Sequence, residues 1–360
     1  MKVRTKKATM TNKERVEALL RRERPDRVPF SPGGGDFAMI YSGFALSDAF
    51  TCAPKVVYEA EKKACHDFDW VFIPNFRARR NRGQFGGEVK VPTNKYAWSP
   101  TVSKYAAETP EEVMALKAPD VRGLYSPEEI AFKKQAWQDG DENKPFKVSV
   151  GAISVMNIAA GIAGYDYLCK WMIQRPEVAH RLIRLAADYQ IAVAQYAKEV
   201  FGVERVLING ANAAASNQLI SPKHFEQFAL PYLKEVHEKI LAMGFKHLRT
   251  HPCGEQNLNL PYWQQMPLGD PGIVHVGNEI DLETVAKYFP NDIIEGNLDT
   301  TIMQIGTPDE VYDASRKVIE QGKSLANGFI LRQACTFPPR ATVENISAIT
   351  RALNDFGWYD

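Results

Sequence analysis

The run Thr250-His251-Pro252-Cys253-Gly254-Glu255 holds an imidazole and a thiol two residues apart. On an extended backbone that spacing sends both side chains to the same side. A thiolate beside an imidazole is a borderline-soft donor pair suited to Zn²⁺. Gly254 lets the chain turn sharply away without crowding the metal. The third candidate ligand is Cys335, in Arg332-Gln333-Ala334-Cys335-Thr336-Phe337-Pro338-Pro339. An isolated cysteine reads as a small buried hydrophobe, and Cys52, Cys65 and Cys169 are read that way. A His-x-Cys at one strand end with a cysteine at another reads as a metal site, with His251, Cys253 and Cys335 as its ligands. Three ligands leave one tetrahedral position open, as a catalytic zinc requires. The alternative is a structural metal, with Glu255 the nearest fourth ligand.

These residues meet only if the chain folds so that distant strand ends share one mouth. Short apolar runs of strand length lie at Val28–Ser31, Trp70–Asn75, Lys147–Gly151, Val203–Asn209, Lys246–His251, Ile273–Val276, Asp292–Asn297 and Gly328–Ala334. From the third onward, helix-competent segments such as Pro176–Glu199 and Pro222–Leu241 separate them, which implies parallel pairing through right-handed crossovers. Eight such strands close a (β/α)₈ (TIM) barrel, whose active sites sit at the C-terminal strand ends. Strands five and eight then deliver His251, Cys253 and Cys335 to the same face. A doubly wound open sheet is the competing arrangement, without a glycine-rich dinucleotide fingerprint to support it.

Helix starts are legible. Thr11-Asn12-Lys13-Glu14 is a capping box followed by Val16, Leu19 and Leu20 on one face. Thr109-Pro110-Glu111-Glu112, Ser126-Pro127-Glu128-Glu129 and Thr307-Pro308-Asp309-Glu310 add proline at the first helical position. The last leads a buried stripe of Val311, Ala314, Val318 and Ile319, with Gly322 expected to stop it. The interval Phe76 to Phe146 is too long for one crossover. With Arg77, Arg79, Arg80, Arg82, Gly83–Gly87 and alternating Glu88–Val91, it reads as a hairpin plus helices inserted between strands two and three. Residues 1–27 read as a tail and helix, and residues 1–360 as one barrel domain.

Other strand ends carry polar groups: Asp36 after the first, Asn209 and Asn212 after the fourth, Asn278 and Glu279 after the sixth, Asn297 and Asp299 after the seventh. Loop polarity explains any one of them. Their succession makes some of them, with Asp36, Asn209, Asn212 and Asn297 chosen, candidate substrate or ligand-orienting groups, and Glu255 beside the His-x-Cys pair is a further candidate. Phe37, Tyr262, Trp263 and Phe337 sit beside the same ends as a candidate apolar pocket, with core packing the competing reading. His275 is placed to line the mouth or to serve as a satisfied core histidine. His66, His180, His224, His237 and His247 read mostly as surface or capping residues.

Composition narrows the classes. With 44 Lys+Arg against 43 Asp+Glu, the formal net charge is +1. That balance offers no basic field for nucleic acid and no polybasic patch for a membrane surface. No run approaches the roughly 18 apolar residues of a membrane span. The basic stretch Met1 to Thr11 lacks the apolar core of a signal peptide and reads as a solvated tail. Five cysteines in 360 residues do not suggest a disulfide framework, so a cytoplasmic setting is expected.

The residues then resemble the uroporphyrinogen decarboxylase superfamily, in its cobamide-dependent methyltransferase branch. The resemblance is carried by Thr11-Asn12-Lys13-Glu14-Arg15-Val16 through Arg24-Pro25-Asp26-Arg27-Val28-Pro29, then Leu219-Ile220-Ser221-Pro222 with Phe225 through Pro231. His251-Pro252-Cys253-Gly254, Gly296-Asn297-Leu298, Gly306-Thr307-Pro308 and Cys335 through Pro339 with Glu344-Asn345 complete it. It implies a (β/α)₈ barrel with zinc on His251, Cys253 and Cys335. The implied activity is transfer of a methyl group between a small molecule and the cobalt of a corrinoid on a separate partner protein. Within that branch, Glu255-Gln256-Asn257-Leu258-Asn259-Leu260-Pro261-Tyr262-Trp263 resembles homologues linked with demethylation of methoxylated compounds. Methoxyaromatic O-demethylation is therefore the favoured expectation, and methyl transfer to a thiol of the coenzyme M type the alternative. Porphyrinogen decarboxylation is a second alternative, disfavoured because the decarboxylases' N-terminal arginine-rich motif is absent after Phe30.

Overall fold

A strand covered on both faces is built from continuous β-branched and aliphatic residues, and the chain supplies such runs between its helices. The structure, a computed structural model, describes residues 8–74, 82–97 and 99–359. Arg77, Arg79, Arg80 and Asn75 lie outside the described residues, as does the side chain of Arg82. Eight strands form among the described residues. β1 (Glu88–Lys90) and β2 (Thr101–Lys104) pair antiparallel as a hairpin. β3 (Val148–Gly151), β4 (Val206–Ala211), β5 (Leu248–His251), β6 (Ile273–His275), β7 (Ile293–Leu298) and β8 (Phe329–Gln333) lie side by side, in chain order, in one parallel sheet.

The two earliest expected strands are present as extended segments, without full ladders. Phe30 makes a single parallel bridge to Leu331. The Ser31 N–H donates to the Leu331 carbonyl, and the Leu331 N–H to that of Pro29. The Val71 N–H donates to Phe30, and the Ser149 N–H on β3 donates to Pro74. These bonds link β8 to 28–31, that segment to 70–74, and 70–74 to β3. Pro29, Pro32 and Pro74 have no N–H to donate, so the pairing cannot extend into longer ladders. β4 begins three residues later than expected because Arg205 takes a positive φ of 57° at the turn before it.

Alternation along the strands sets what faces inward. Leu207, Ile273, Ile293 and Ile330 join Val16 and Leu19 of the first helix (Asn12–Leu20), with Val71 and Phe146, in one buried apolar cluster. Two residues further along the same strands come Asn209, His275, Glu295 and Arg332. An apolar floor thus gives way to a polar layer toward the C-terminal strand ends.

Capping boxes close the N-termini of the helices at Thr11/Glu14, Thr109/Glu112, Ser126/Glu129 and Thr307/Glu310. The expected helix from Pro176 runs to Phe201. The one from Pro222 widens into a π turn over Phe225–Ala229, just before Pro231, whose missing N–H interrupts the regular ladder. Gly322 does not stop its helix, which runs Pro308–Lys323. A Cβ there would run into the Phe329 ring of β8, so the glycine marks a close helix–strand approach. Between 82 and 146 the hairpin is accompanied by helices at Pro110–Ala115 and Pro127–Trp137. His237, expected near the surface, is fully buried. No helix among the described residues is long and apolar enough to cross a membrane.

Candidate metal centre

His251 is the last residue of β5, Cys253 follows Pro252, and Cys335 lies two residues past the end of β8. One donor atom from each falls within 4.8 Å of the others. The two sulfurs are 3.8 Å apart. Two thiolates on one tetrahedral zinc, each at about 2.3 Å, would sit about 3.8 Å from each other, so the spacing fits that metal. Gly254 has φ +76°, the left-handed turn that takes the chain away from the centre.

The tautomer of His251 follows from its neighbour. Its Nδ1 lies 2.9 Å from the His275 carbonyl oxygen, which can only accept, so Nδ1 carries the hydrogen. Nε2 then holds the lone pair, and it is buried without a hydrogen-bond partner. An orphaned acceptor beside two thiols is what a metal ligand looks like before the ion is considered. The His275 ring stacks on His251 with centroids 4.0 Å apart. Its Nε2 donates to the Gln333 carbonyl at 2.8 Å, and the Gln333 amide donates to the Pro32 carbonyl. One chain of hydrogen bonds therefore ties β5 to β6, β6 to β8, and β8 to the loop after Phe30. Burial drives the His275 imidazole well below its ordinary pKa, so it stays neutral. The Cys253 thiol, donating to Cys335, is pushed up, while that hydrogen bond holds Cys335 down.

A cavity of about 380 Å³ opens beside these three groups. Asp36, Asn209 and His275 line it, and Asn209 donates to the Ser149 hydroxyl. The other expected substrate residues sit elsewhere. Phe37 is buried among Tyr41, Phe68, Trp70 and Phe337, because its helix turns that face to the core. Asn212 is fully buried and satisfies the Met156 N–H and the Ile153 carbonyl. Glu255 accepts from the backbone and side-chain nitrogens of Asn257, away from the metal group. Trp263 is fully buried, its indole N–H on Gln256. Asn297 donates to the Ile280 carbonyl. These side chains close loops behind the site and do not line the cavity. Arg249, Arg332 and Gln333 do line it. Counting back two residues from His251 along its strand would have found Arg249.

Comparison with known proteins agrees with this architecture. The family model described as uroporphyrinogen decarboxylase (URO-D) matches residues 11–356. A methylcobamide:CoM methyltransferase, MtbA, of Methanosarcina acetivorans is 27% identical over 323 residues, 88% of this chain and 91% of that protein. A methylated-thiol–coenzyme M methyltransferase of Methanosarcina mazei is 27% identical over 205 residues, 55% of this chain; the match spans only half of that relative's length. A uroporphyrinogen decarboxylase of Anaeromyxobacter sp. is 24% identical over 220 residues, 59% of this chain and 57% of that one. Among solved structures, a methyltransferase from Methanosarcina mazei superposes with a TM-score of 0.73 at 18% identity, covering 96% of this chain and 99% of that one, and so shares the fold. With the family model spanning nearly its whole length, the chain belongs to the uroporphyrinogen decarboxylase (URO-D) family.

Proposed function

We propose that this protein is a zinc-dependent methyltransferase that moves a methyl group between a small methylated substrate and the cobalt of a corrinoid carried by a separate protein. The observation that carries the reading is the convergence of a His251 ring nitrogen, Cys253 Sγ and Cys335 Sγ, with His251 Nε2 buried and unpartnered. The 27% identity to a methylcobamide:CoM methyltransferase over most of both chains supports it. The polypeptide fits a (β/α)₈ barrel of one domain, with 28–31 and 70–74 as its first two strands and the hairpin-bearing interval after them as an insertion. Five free thiols suit a reducing, cytoplasmic setting.

His251, Cys253 and Cys335 would hold the zinc, leaving room for one further group at the cavity. Zinc there would supply a Lewis acid for the heteroatom that carries the methyl group. His275 fixes the His251 tautomer, and Gln333 fixes His275. Trp70, Phe72 and Phe337 give the cavity aromatic walls, which favours an aryl methyl ether as substrate. In that reaction the O–CH₃ bond breaks, a Co–CH₃ bond forms, the phenolate leaves, and cobalt(I) becomes formally cobalt(III). Methyl transfer to a thiol is the second reading, favoured by the names of the relatives. The segment 255–263 does not separate the two, because none of its side chains lines the cavity. Incubating the zinc-loaded protein with free cob(I)alamin and a panel of methoxyaromatics and methyl thioethers tests the proposal. Cobalt methylation, followed by absorbance, is expected with one class. No methylation from any donor, together with none of a thiol from methylcobalamin, would refute it.

A further inference from the structure

Behind the metal group, the cavity ends on charged residues. Arg249, two residues before His251, and Arg332 on β8 approach the same oxygen of Glu295, at 3.8 and 3.5 Å. Glu295 is 1% exposed, and its second oxygen has no hydrogen-bond partner.

The two arginines are not equivalent. Arg332 donates to the Ser31 carbonyl and lies so close to Gly33 that a Cβ there would meet its guanidinium. The Arg249 guanidinium has no hydrogen bond to any group among the described residues; its ion pair at 3.8 Å is beyond hydrogen-bond reach. Its side chain is 13% exposed and faces the cavity. Trp70, also on the wall, keeps a buried indole N–H without a partner. Asp36 and Glu61 also line the cavity, and the Glu61 carboxylate lies against Gly35. An inward guanidinium with unspent donors, one strand layer below the metal ligands, is arranged to receive a planar oxyacid anion.

We propose that the substrate is anionic, and that Arg249 binds its carboxylate or sulfonate group while the methyl-bearing heteroatom faces His251, Cys253 and Cys335. The orientation half of this statement rests on the methyl-transfer reading; the anion subsite does not. Arg249 acts as a specificity-determining residue, contributing a charge-assisted hydrogen bond that a neutral isostere cannot use.

Equilibrium binding by calorimetry on the full-length zinc-loaded protein tests the subsite independently of turnover. The probes form two pairs: para-methoxybenzoate against para-methoxybenzamide, and mercaptoethanesulfonate against mercaptoethanol. The anion of at least one pair should bind about tenfold or more tighter than its neutral partner, and that pair identifies the anion's source. Arg249→Gln should abolish the preference while leaving the neutral affinity unchanged, and Arg249→Lys should keep part of it. Equal affinities within both pairs in the wild type, including no binding of either anion, would overturn the inference, whether or not a variant folds. So would a preference that persists in Arg249→Gln. Cobalt methylation without anion preference sinks the subsite and spares the methyl-transfer reading; anion-selective binding without methylation does the reverse.

Discussion

An imidazole can bind a metal through one nitrogen only after the other has been given a proton and a partner. In His251 that partner is a main-chain oxygen, of His275, so the donor side survives any change of the His275 side chain. What such a change removes is the stacked ring and the tie to the Gln333 carbonyl. His275→Leu should therefore still bind zinc, but about tenfold to a hundredfold more weakly in chelator competition, with the fold retained. Unchanged affinity would show that the tie positions nothing. A second histidine sets a pH dependence. Burial lowers His237 to about 4, while its Nδ1 meets the Pro267 carbonyl. Unfolded, the same group titrates near 6.5. Between those values the unfolded chain binds the proton and the folded one does not, so stability falls as pH drops, by up to about 1.4 kcal/mol per unit. Thermal melts between pH 7 and 4.5 should show a steeper loss for the wild type than for His237→Gln; equal slopes would remove His237 as the cause. At this scale the meeting of His251, Cys253 and Cys335 was readable in the sequence. The sequence was opaque for Asn212, Trp263 and Asn297, because a polar or aromatic residue at a strand end looks the same whether it faces a cavity or seals the loop behind it.

At the level of elements, local signals held wherever a few neighbouring residues decide the outcome. The capping boxes at Thr11, Thr109, Ser126 and Thr307 formed because hydroxyl, carboxylate and backbone N–H lie within four residues of each other. Gly322 misled because its role is set by Phe329, a residue of the next strand. Gly322→Ala should gain about 1 kcal/mol of helix propensity and lose about 1–3 kcal/mol to overpacking against a ring that β8 holds in the core. Denaturant unfolding should show a net loss, and a more stable variant would contradict the close-approach account. The segments 28–31 and 70–74 read as strands by composition, yet their prolines limit them to single hydrogen bonds with their neighbours.

Across the whole molecule, stability and chemistry occupy opposite ends of the same sheet. Val16 and Leu19 pack on Leu207, Ile273, Ile293 and Ile330, whereas the candidate metal ligands stand at the C-terminal strand ends or just beyond them. Leu19→Ala should cost about 2–5 kcal/mol with zinc content unchanged. His251→Ala should do the opposite, losing zinc and methyl transfer while unfolding near the wild-type temperature. A large drop in melting temperature for His251→Ala would mark the metal as structural. The proposed zinc chemistry depends on the identity of the donors, and zinc K-edge X-ray absorption on the purified protein reads them directly. It should give two sulfurs at about 2.3 Å and one imidazole nitrogen at about 2.0–2.1 Å, with one sulfur lost in Cys335→Ser. A shell of oxygen and nitrogen alone, or an unchanged spectrum in Cys335→Ser, would contradict the assignment of His251, Cys253 and Cys335 as the metal centre.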